Sequence, residues 1–261
     1  MTLSKDDLDD LLYAKSLLEH PSLAVKISNR LGAPIEKGFE LLPARWNKVV
    51  QRVTKESLQA ALTFALITMG DKKIRVSSEG VHKLLVAAAG AGGGAFGLPA
   101  LALELPVSTT IMLRSIADIA RSEGESIKLP ESKLACLEVF ALGGTSKTDD
   151  GTETGYFAIR AALAHAVSDA ARYLAERGLV QKGAPALVRF ISAVAVRFGV
   201  VVSEKVAAQA LPVVGAAGGA LINTIFIDHF QDMARGHFII RRLERTYGKE
   251  LIKHTYEKLS L

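Results

Sequence analysis

Apolar side chains recur every three or four residues along most of the chain, which is the spacing of an amphipathic α-helix. The longest such stretch covers residues 46–69, where the repeated positions are Trp46, Val49, Val50, Val53, Leu58, Leu62, Leu66 and Met69. The β-favouring run at residues 200–202 is too short to indicate a sheet. The pattern therefore predicts an all-α protein, a single compact multi-helix domain of about ten helices.

Two uncharged, glycine-rich segments interrupt this pattern. They are LLVAAAGAGGGAFGLPALAL at residues 84–103 and VAAQALPVVGAAGGALINTIFI at residues 206–227. Each is long enough, at about 1.5 Å per residue, to cross a hydrocarbon core of about 30 Å. Their Ala and Gly content gives little transfer free energy, and proline with adjacent glycines would break helical hydrogen bonds that lipid cannot replace. We expect two central helical segments packed against each other, with a break near 92–99 and a new helix after Pro106; membrane insertion is the alternative.

Charge divides the chain into two predicted regions. The charged connector DKKIRVSSEG at residues 71–80 separates an N-terminal helical layer, residues 1–75, from a helical core, residues 76–261. The net charge is +5, and from Arg235 onward seven Lys and Arg stand against three Glu, so the core ends in a basic helix. Basic residues near anionic lipid each contribute on the order of 1 kcal/mol of attraction. No nucleic-acid-binding motif accompanies this charge, so we expect no nucleic-acid partner.

The remaining features of the composition indicate close helix packing and a cytoplasmic location. Hydrophobic residues make up 49% of the chain and aromatic residues only 6%, so the excess lies in small side chains that allow close helix packing. The single cysteine, Cys136, excludes an intramolecular disulfide and lies in an apolar helical pattern typical of an inert, buried thiol. The first residues, MTLSKDDLDDLL, are acidic where a signal peptide is basic, so we expect a cytoplasmic protein.

One group of residues could hold a divalent metal. His229, Asp232 and His237 lie in the stretch HFQDMARGHF, where helical spacing brings Asp232 next to His229. Glu104, at the end of the first glycine-rich segment, could supply a further ligand if the two segments pack together. The packing alternative, which we favour, is that His229 hydrogen-bonds a neighbouring helix and Glu104 pairs with an arginine. No cofactor other than this metal is indicated.

A second group of polar residues follows the first glycine-rich segment: Glu104, Thr109, Thr110, Arg114 and Asp118. Arg114 and Asp118 are four residues apart, which permits an ion pair on a helix. Burying Glu104 beside an apolar flank is costly without a partner, so a partner must exist. The group could bind a lipid head group or a substrate, or it could lock helices together. No nucleophile elbow and no phosphate-binding glycine loop is present, so no catalytic residue is identified.

Three long stretches resemble the EcsC protein family of bacteria. They are GLPALALELPVSTTIMLRSIADIARSEGE at residues 97–125, LACLEVFALGG at 134–144, and the stretch from RFGVVVSEK through HFQDMARGHF to ERTYG at 197–248. The resemblance covers about residues 80–258 and brings no agreed catalytic residues with it. The family takes its name from a protein encoded beside an ABC transporter, which implies an association with membrane or transport processes.

The resemblance and the residues together predict a membrane-associated accessory protein that binds lipid or another hydrophobic ligand and is not an enzyme. A metal-dependent hydrolase with a Glu, His and Asp site is one alternative. A regulatory or structural partner of a membrane transporter is another. The expected partners are membrane lipid or a membrane protein. The expected location is the cytoplasm or, if the protein is a peripheral membrane protein, the inner face of the membrane.

Overall fold

A computed structural model describes residues 3–19, 23–68, 98–144, 155–177, 184–211 and 215–260. Within these ranges the chain forms ten α-helices and no β-strand, so the predicted all-α, single-domain fold is confirmed. The helices are α1 Lys5–Leu18, α2 Leu23–Leu31, α3 Glu36–Glu40, α4 Trp46–Thr68, α5 Leu98–Ser122, α6 Pro130–Leu142, α7 Gly155–Arg177, α8 Pro185–Ala210, α9 Gly215–Tyr247 and α10 Lys249–Lys258.

Helices α6 and α9 form the centre of the domain. Every residue of α6 from Ser132 to Leu142 is buried, including the charged residues Lys133 and Glu138, because apolar residues lie on all sides of this helix. The long helix α9 packs against α1, α2, α5, α6, α8 and α10, while α4 packs against α5 and α8. Four phenylalanines, Phe140, Phe198, Phe226 and Phe230, join α6, α8 and α9, with ring centroids 4.8 to 6.2 Å apart in the contacting pairs. This aromatic cluster fixes the three helices around one core.

Two predicted helix boundaries are wrong. Helix α5, described over Leu98–Ser122, continues through Pro106, where the sequence predicts a new helix. Proline removes only one backbone donor, and burial of Leu101, Leu105 and Met112 along the same helix offsets that loss. The sequence also predicts one helix over about residues 184–202 and a further helix that includes residues 203–210, but helix α8 runs unbroken from Pro185 to Ala210. The predicted connector at 71–80 and the glycine-rich residues 84–97 lie outside the described residues.

Two glycines allow backbones to approach closely. A Cβ on Gly38 in α3 would point directly into the backbone carbonyl of Ala207 in α8. A Cβ on Gly236 in α9 would lie 2.6 Å from Leu18 Cγ and 3.0 Å from the Ala14 carbonyl oxygen of α1. Both contacts lie below the separations that packed carbon atoms adopt. These glycines therefore set how closely α3 and α1 approach the two long helices.

Candidate functional site

Glu104 lies at the meeting point of three helices. Lys205 of α8 donates a hydrogen bond from Nζ to Glu104 Oε1 at 2.5 Å, and Asn223 of α9 donates from Nδ2 to the same oxygen at 2.8 Å. Glu104 is 6% exposed, and Lys205 and Asn223 are fully buried. The Lys205 ammonium also lies 4.8 Å from the centroid of the Phe226 ring. We call Glu104, Lys205 and Asn223 the buried lock.

Burial dominates the energetics of the buried lock. Removing an ammonium from water lowers the pKa of Lys205, and the negative charge of Glu104 acts in the opposite direction. A buried ion pair of this kind contributes little net stability, but removing one partner leaves a lone charge in the core. The prediction that Glu104 requires a partner is confirmed. The partner is a lysine within a run of valine and alanine, instead of the arginine that was expected.

The other residues of the predicted binding group have separate environments. Thr109 is buried and its Oγ1 has no hydrogen-bond partner among the described residues, whereas Thr110 Oγ1 donates to the Pro106 carbonyl at 2.8 Å. Arg114 is exposed, with its guanidinium carbon 5.9 Å from the centroid of the Phe64 ring. Asp118 accepts a hydrogen bond from Arg121 Nη1 at 2.5 Å. Their assignment to one ligand site stays a prediction.

The predicted metal ligands on α9 also have separate partners. His229 is buried, and its Nε2 lies 2.9 Å from the Gly143 carbonyl at the end of α6. A carbonyl only accepts, so Nε2 carries the proton. Burial lowers the pKa of His229 to about 4, so the ring is neutral at physiological pH. Asp232 forms an ion pair with Lys26 of α2 at 3.2 Å, and Arg235 lies 3.5 Å from its other oxygen.

His237 occupies a second buried position. Its Nδ1 lies 3.0 Å from the hydroxyl of Tyr156 in α7, and the residue is fully buried. Burial and, to a smaller extent, the positive charges of Arg160 and Arg241 hold the pKa of His237 well below its usual range. Each histidine therefore acts as a neutral hydrogen-bonding group between helices, as the packing alternative expects.

Glu104 and His229 belong to different parts of the core. Asn223, which binds Glu104, precedes His229 by six residues, or about 9 Å along the axis of α9 and about 120° around it. Among the residues that the structure describes, no group of three or more His, Cys, Asp or Glu is arranged to hold a metal ion. A metal site that combines Glu104 with the α9 residues stays a prediction.

Comparison with known proteins identifies the family. The sequence model of the EcsC protein family matches residues 14–243, which is most of the chain. The chain belongs to the EcsC family. The match begins well before residue 80, so helices α2, α3 and α4 are part of the region that the family model describes. No curated protein and no solved structure matches the chain.

The basic C-terminal region of this EcsC protein is largely neutralised inside the fold. Arg241 donates from Nε to Glu125 Oε1 at 2.8 Å, and Arg245 contacts the same carboxylate. Arg242 pairs with Asp10 of α1 at 2.5 Å. These acids are more than 110 residues away in sequence, so local charge counting could not reveal them. Much of the positive charge that was expected to attract anionic lipid therefore stabilises the C-terminal half of α9.

Helix α8 is the most membrane-like element among the described helices. It is the one helix there that is long and apolar enough to cross a membrane, with a mean hydropathy of 1.9 over its most apolar 18 residues. Only 33% of these 18 residues are buried within the protein. Val196 is 75% exposed and Val200 is 40% exposed, and Gly199 between them faces open space. The EcsC protein thus presents apolar side chains of α8 to its surroundings.

Proposed function

We propose that this EcsC-family protein is a non-enzymatic accessory protein that binds the surface of a lipid membrane through one face of α8. The α8 face consists of the exposed and partly exposed residues Ser192, Ala193, Val196, Gly199, Val200 and Ser203. The observation that carries the proposal is the combination of high hydropathy and low burial in this helix. Exposed apolar surface of this kind is typical of protein or membrane contacts.

The α8 face has no charged side chain along its length. Arg197, at the flank of this face, is partly buried and its Nη1 lies 3.4 Å from the Gly144 carbonyl oxygen, and the exposed Arg189 lies one turn before Ser192, beyond the end of the face. The absence of charge between Ser192 and Ser203 on this face removes the main cost of placing a helix against acyl chains. Serine, alanine and glycine keep the surface smooth, so lipid can approach the two valines closely.

Peripheral contact fits α8 better than a full span. Its opposite side packs Phe190, Val194 and Phe198 into the core, and its C-terminal turns carry Lys205 of the buried lock. Spanning the bilayer would expose that lysine to hydrocarbon and break its ion pair. Transfer of the exposed parts of Val196 and Val200 from water to lipid contributes about 2 kcal/mol, which corresponds to weak, reversible attachment.

Flotation with protein-free vesicles of phosphatidylcholine and phosphatidylglycerol tests this function. With vesicles in large excess, a measurable fraction of the wild-type protein should float, and Val196→Asp should reduce that fraction several-fold because a carboxylate would enter the lipid. Leu129→Asp is the matched control, since Leu129 is 52% exposed and lies outside α8. Recovery of the wild-type protein wholly in the soluble fraction contradicts the proposal, and so does an equal loss of flotation in both variants.

The same experiment separates the proposal from a role as the partner of a membrane transporter. A protein that recognises only a transporter will not float with vesicles that contain no protein. The metal-dependent hydrolase has less support, because the described residues hold no group of three or more His, Cys, Asp or Glu arranged to bind a metal ion.

A further inference from the structure

A cleft of about 610 Å³ lies between α6, α7, α9 and α10, away from the buried lock and the α8 face. This volume lies in the range of pockets that bind small organic molecules. Its walls combine apolar side chains with charged ones, and the residues that matter here are Glu138, Phe157, Arg160, Ala164, Val167 and Arg241.

Glu138 is the unusual member of this cleft. It lies in the middle of α6 and is 6% exposed, yet its carboxylate forms no hydrogen bond or ion pair with the residues that the structure describes. Burial raises the pKa of Glu138, while the positive charges of Arg160 and Arg241 act in the opposite direction without bonding to it. A buried carboxylate without a partner is costly, and this one borders an open cleft.

The two arginines nearest to Glu138 form ion pairs with other glutamates. Arg160 binds Glu244 through two parallel hydrogen bonds of 2.7 and 2.9 Å. Arg241 binds Glu125 at 2.8 Å, and Glu125 also accepts a hydrogen bond from Ser132 at 2.7 Å. Arg245 also contacts Glu125, so three arginines and three glutamates meet in this part of the protein. Of these three carboxylates, Glu138 is the one that forms no hydrogen bond or ion pair with the residues that the structure describes.

We propose that the cleft binds a small aliphatic ammonium compound whose cationic head pairs with Glu138. The side chains of Phe157, Ala164 and Val167 provide an apolar wall for the aliphatic part. An ammonium supplies the hydrogen-bond donors and the positive charge that Glu138 lacks. A small anion could not pair with Glu138 and would meet the negative charge of its ionised form.

The charges at the outer edge of the cleft repel a cation only weakly. It carries three basic residues, Arg172, Lys249 and Lys253, beside the acidic residues Glu131 and Glu250. Arg172 is paired with Asp169 at 2.5 Å, and Lys253 lies 3.8 Å from Glu257. These edge charges are screened by solvent and by their partners, whereas Glu138 is desolvated, so the inner carboxylate determines the sign of the bound group.

Ligand-observed NMR with hexylammonium as the probe tests the proposal on the full-length protein. Hexanol and hexanoate are the matched probes, because they keep the chain and change the head to a neutral or negative group. Hexylammonium should bind the wild type with a dissociation constant on the order of 1 mM, given its few heavy atoms. Hexanol and hexanoate should both bind at least about tenfold more weakly than hexylammonium. Hexanol forms no ion pair with Glu138, and Glu138 repels the negative charge of hexanoate.

Two variants locate the binding. Glu138→Gln should weaken hexylammonium binding at least about tenfold, whereas Glu131→Gln, at the outer edge, should change it less than about twofold. Ala164→Phe should also reduce binding by filling the cleft at an exposed position, without touching Glu138. It provides the test if Glu138→Gln does not fold. Equal binding of hexanoate, no binding of hexylammonium, or unchanged binding in Glu138→Gln or Ala164→Phe would overturn the proposal.

Discussion

The Lys205 ammonium lies 2.5 Å from Glu104 Oε1 with both side chains inside the core, which joins α8 to α5 by an ion pair that water does not reach. Asn223 adds α9 to the same carboxylate oxygen. Helix α8 is thus fixed on its inner side while its outer side stays apolar and exposed. The buried lock therefore fixes the position of α8, and with it the face through which we propose that the protein binds a membrane.

Breaking one side of the buried lock should be far more damaging than removing both charges. Lys205→Met leaves the negative charge of Glu104 without a counter-charge in the core and should lower the free energy of unfolding by about 3–5 kcal/mol. The double variant Glu104→Gln with Lys205→Met should recover most of that loss, because no buried charge remains. Guanidinium unfolding of the wild type, both single variants and the double variant measures the coupling. Additive losses would show that the two residues act independently.

Glycine-to-alanine substitutions should have opposite effects at two positions. Gly38→Ala would force a methyl group into the Ala207 carbonyl, so α3 must move away from α8 and stability should fall. Gly199→Ala meets nothing within 4 Å and lies inside a helix, so it should raise the free energy of unfolding by up to about 1 kcal/mol. Thermal unfolding of the two variants side by side checks both results. A stable Gly38→Ala protein would contradict the packing of α3 on α8.

Two buried histidines should make the protein less stable in acid, against the opposite effect of Glu204, whose pKa burial raises to about 7. His229 has a pKa of about 4 in the folded protein against 6.5 for an exposed histidine. Between these values the unfolded chain binds a proton that the folded chain does not, so stability falls as the pH decreases from 6.5 towards 4. One such histidine contributes up to about 1.4 kcal/mol per pH unit. His237, whose pKa is also lowered, acts in the same direction.

His229→Gln provides the matched comparison for this pH dependence. Glutamine keeps an N–H donor for the Gly143 carbonyl but does not titrate. Stability of the variant, measured by urea unfolding at intervals between pH 4 and pH 7, should fall less steeply than that of the wild type. An identical slope in the two proteins would show that His229 is not the neutral buried group described above.

The sequence predicted the elements better than their contacts. Helical periodicity and the need to compensate a buried Glu104 follow from local pattern and elementary electrostatics. The identity of Lys205 does not, because nothing within the run of valine and alanine around it indicates which helix it faces. The ion pair between Arg241 and Glu125 could not be predicted for the same reason. Glu138 could have been noticed, since a lone carboxylate in LACLEVFAL requires either a partner or a ligand.

The helix boundaries were missed for a different reason. Pro106 looked like a helix start because proline lacks a donor, yet the burial of its neighbours outweighs one lost hydrogen bond. The run at residues 200–202 favours strand locally, but packing of Val201 and Val202 against the core keeps it helical within α8. Tertiary packing decided both cases, and a single sequence does not contain that information in local form.

Fluorescence at position 196 tests the central claim most directly. Val196→Cys and the control Leu129→Cys can each be labelled with an environment-sensitive maleimide dye. Cys136 should stay unlabelled, because it is buried and burial raises the pKa of its thiol. On addition of protein-free vesicles, the dye at position 196 should shift to the blue and brighten, while the dye at position 129 should not change. No response at position 196, or equal responses at both positions, would contradict membrane binding through the α8 face.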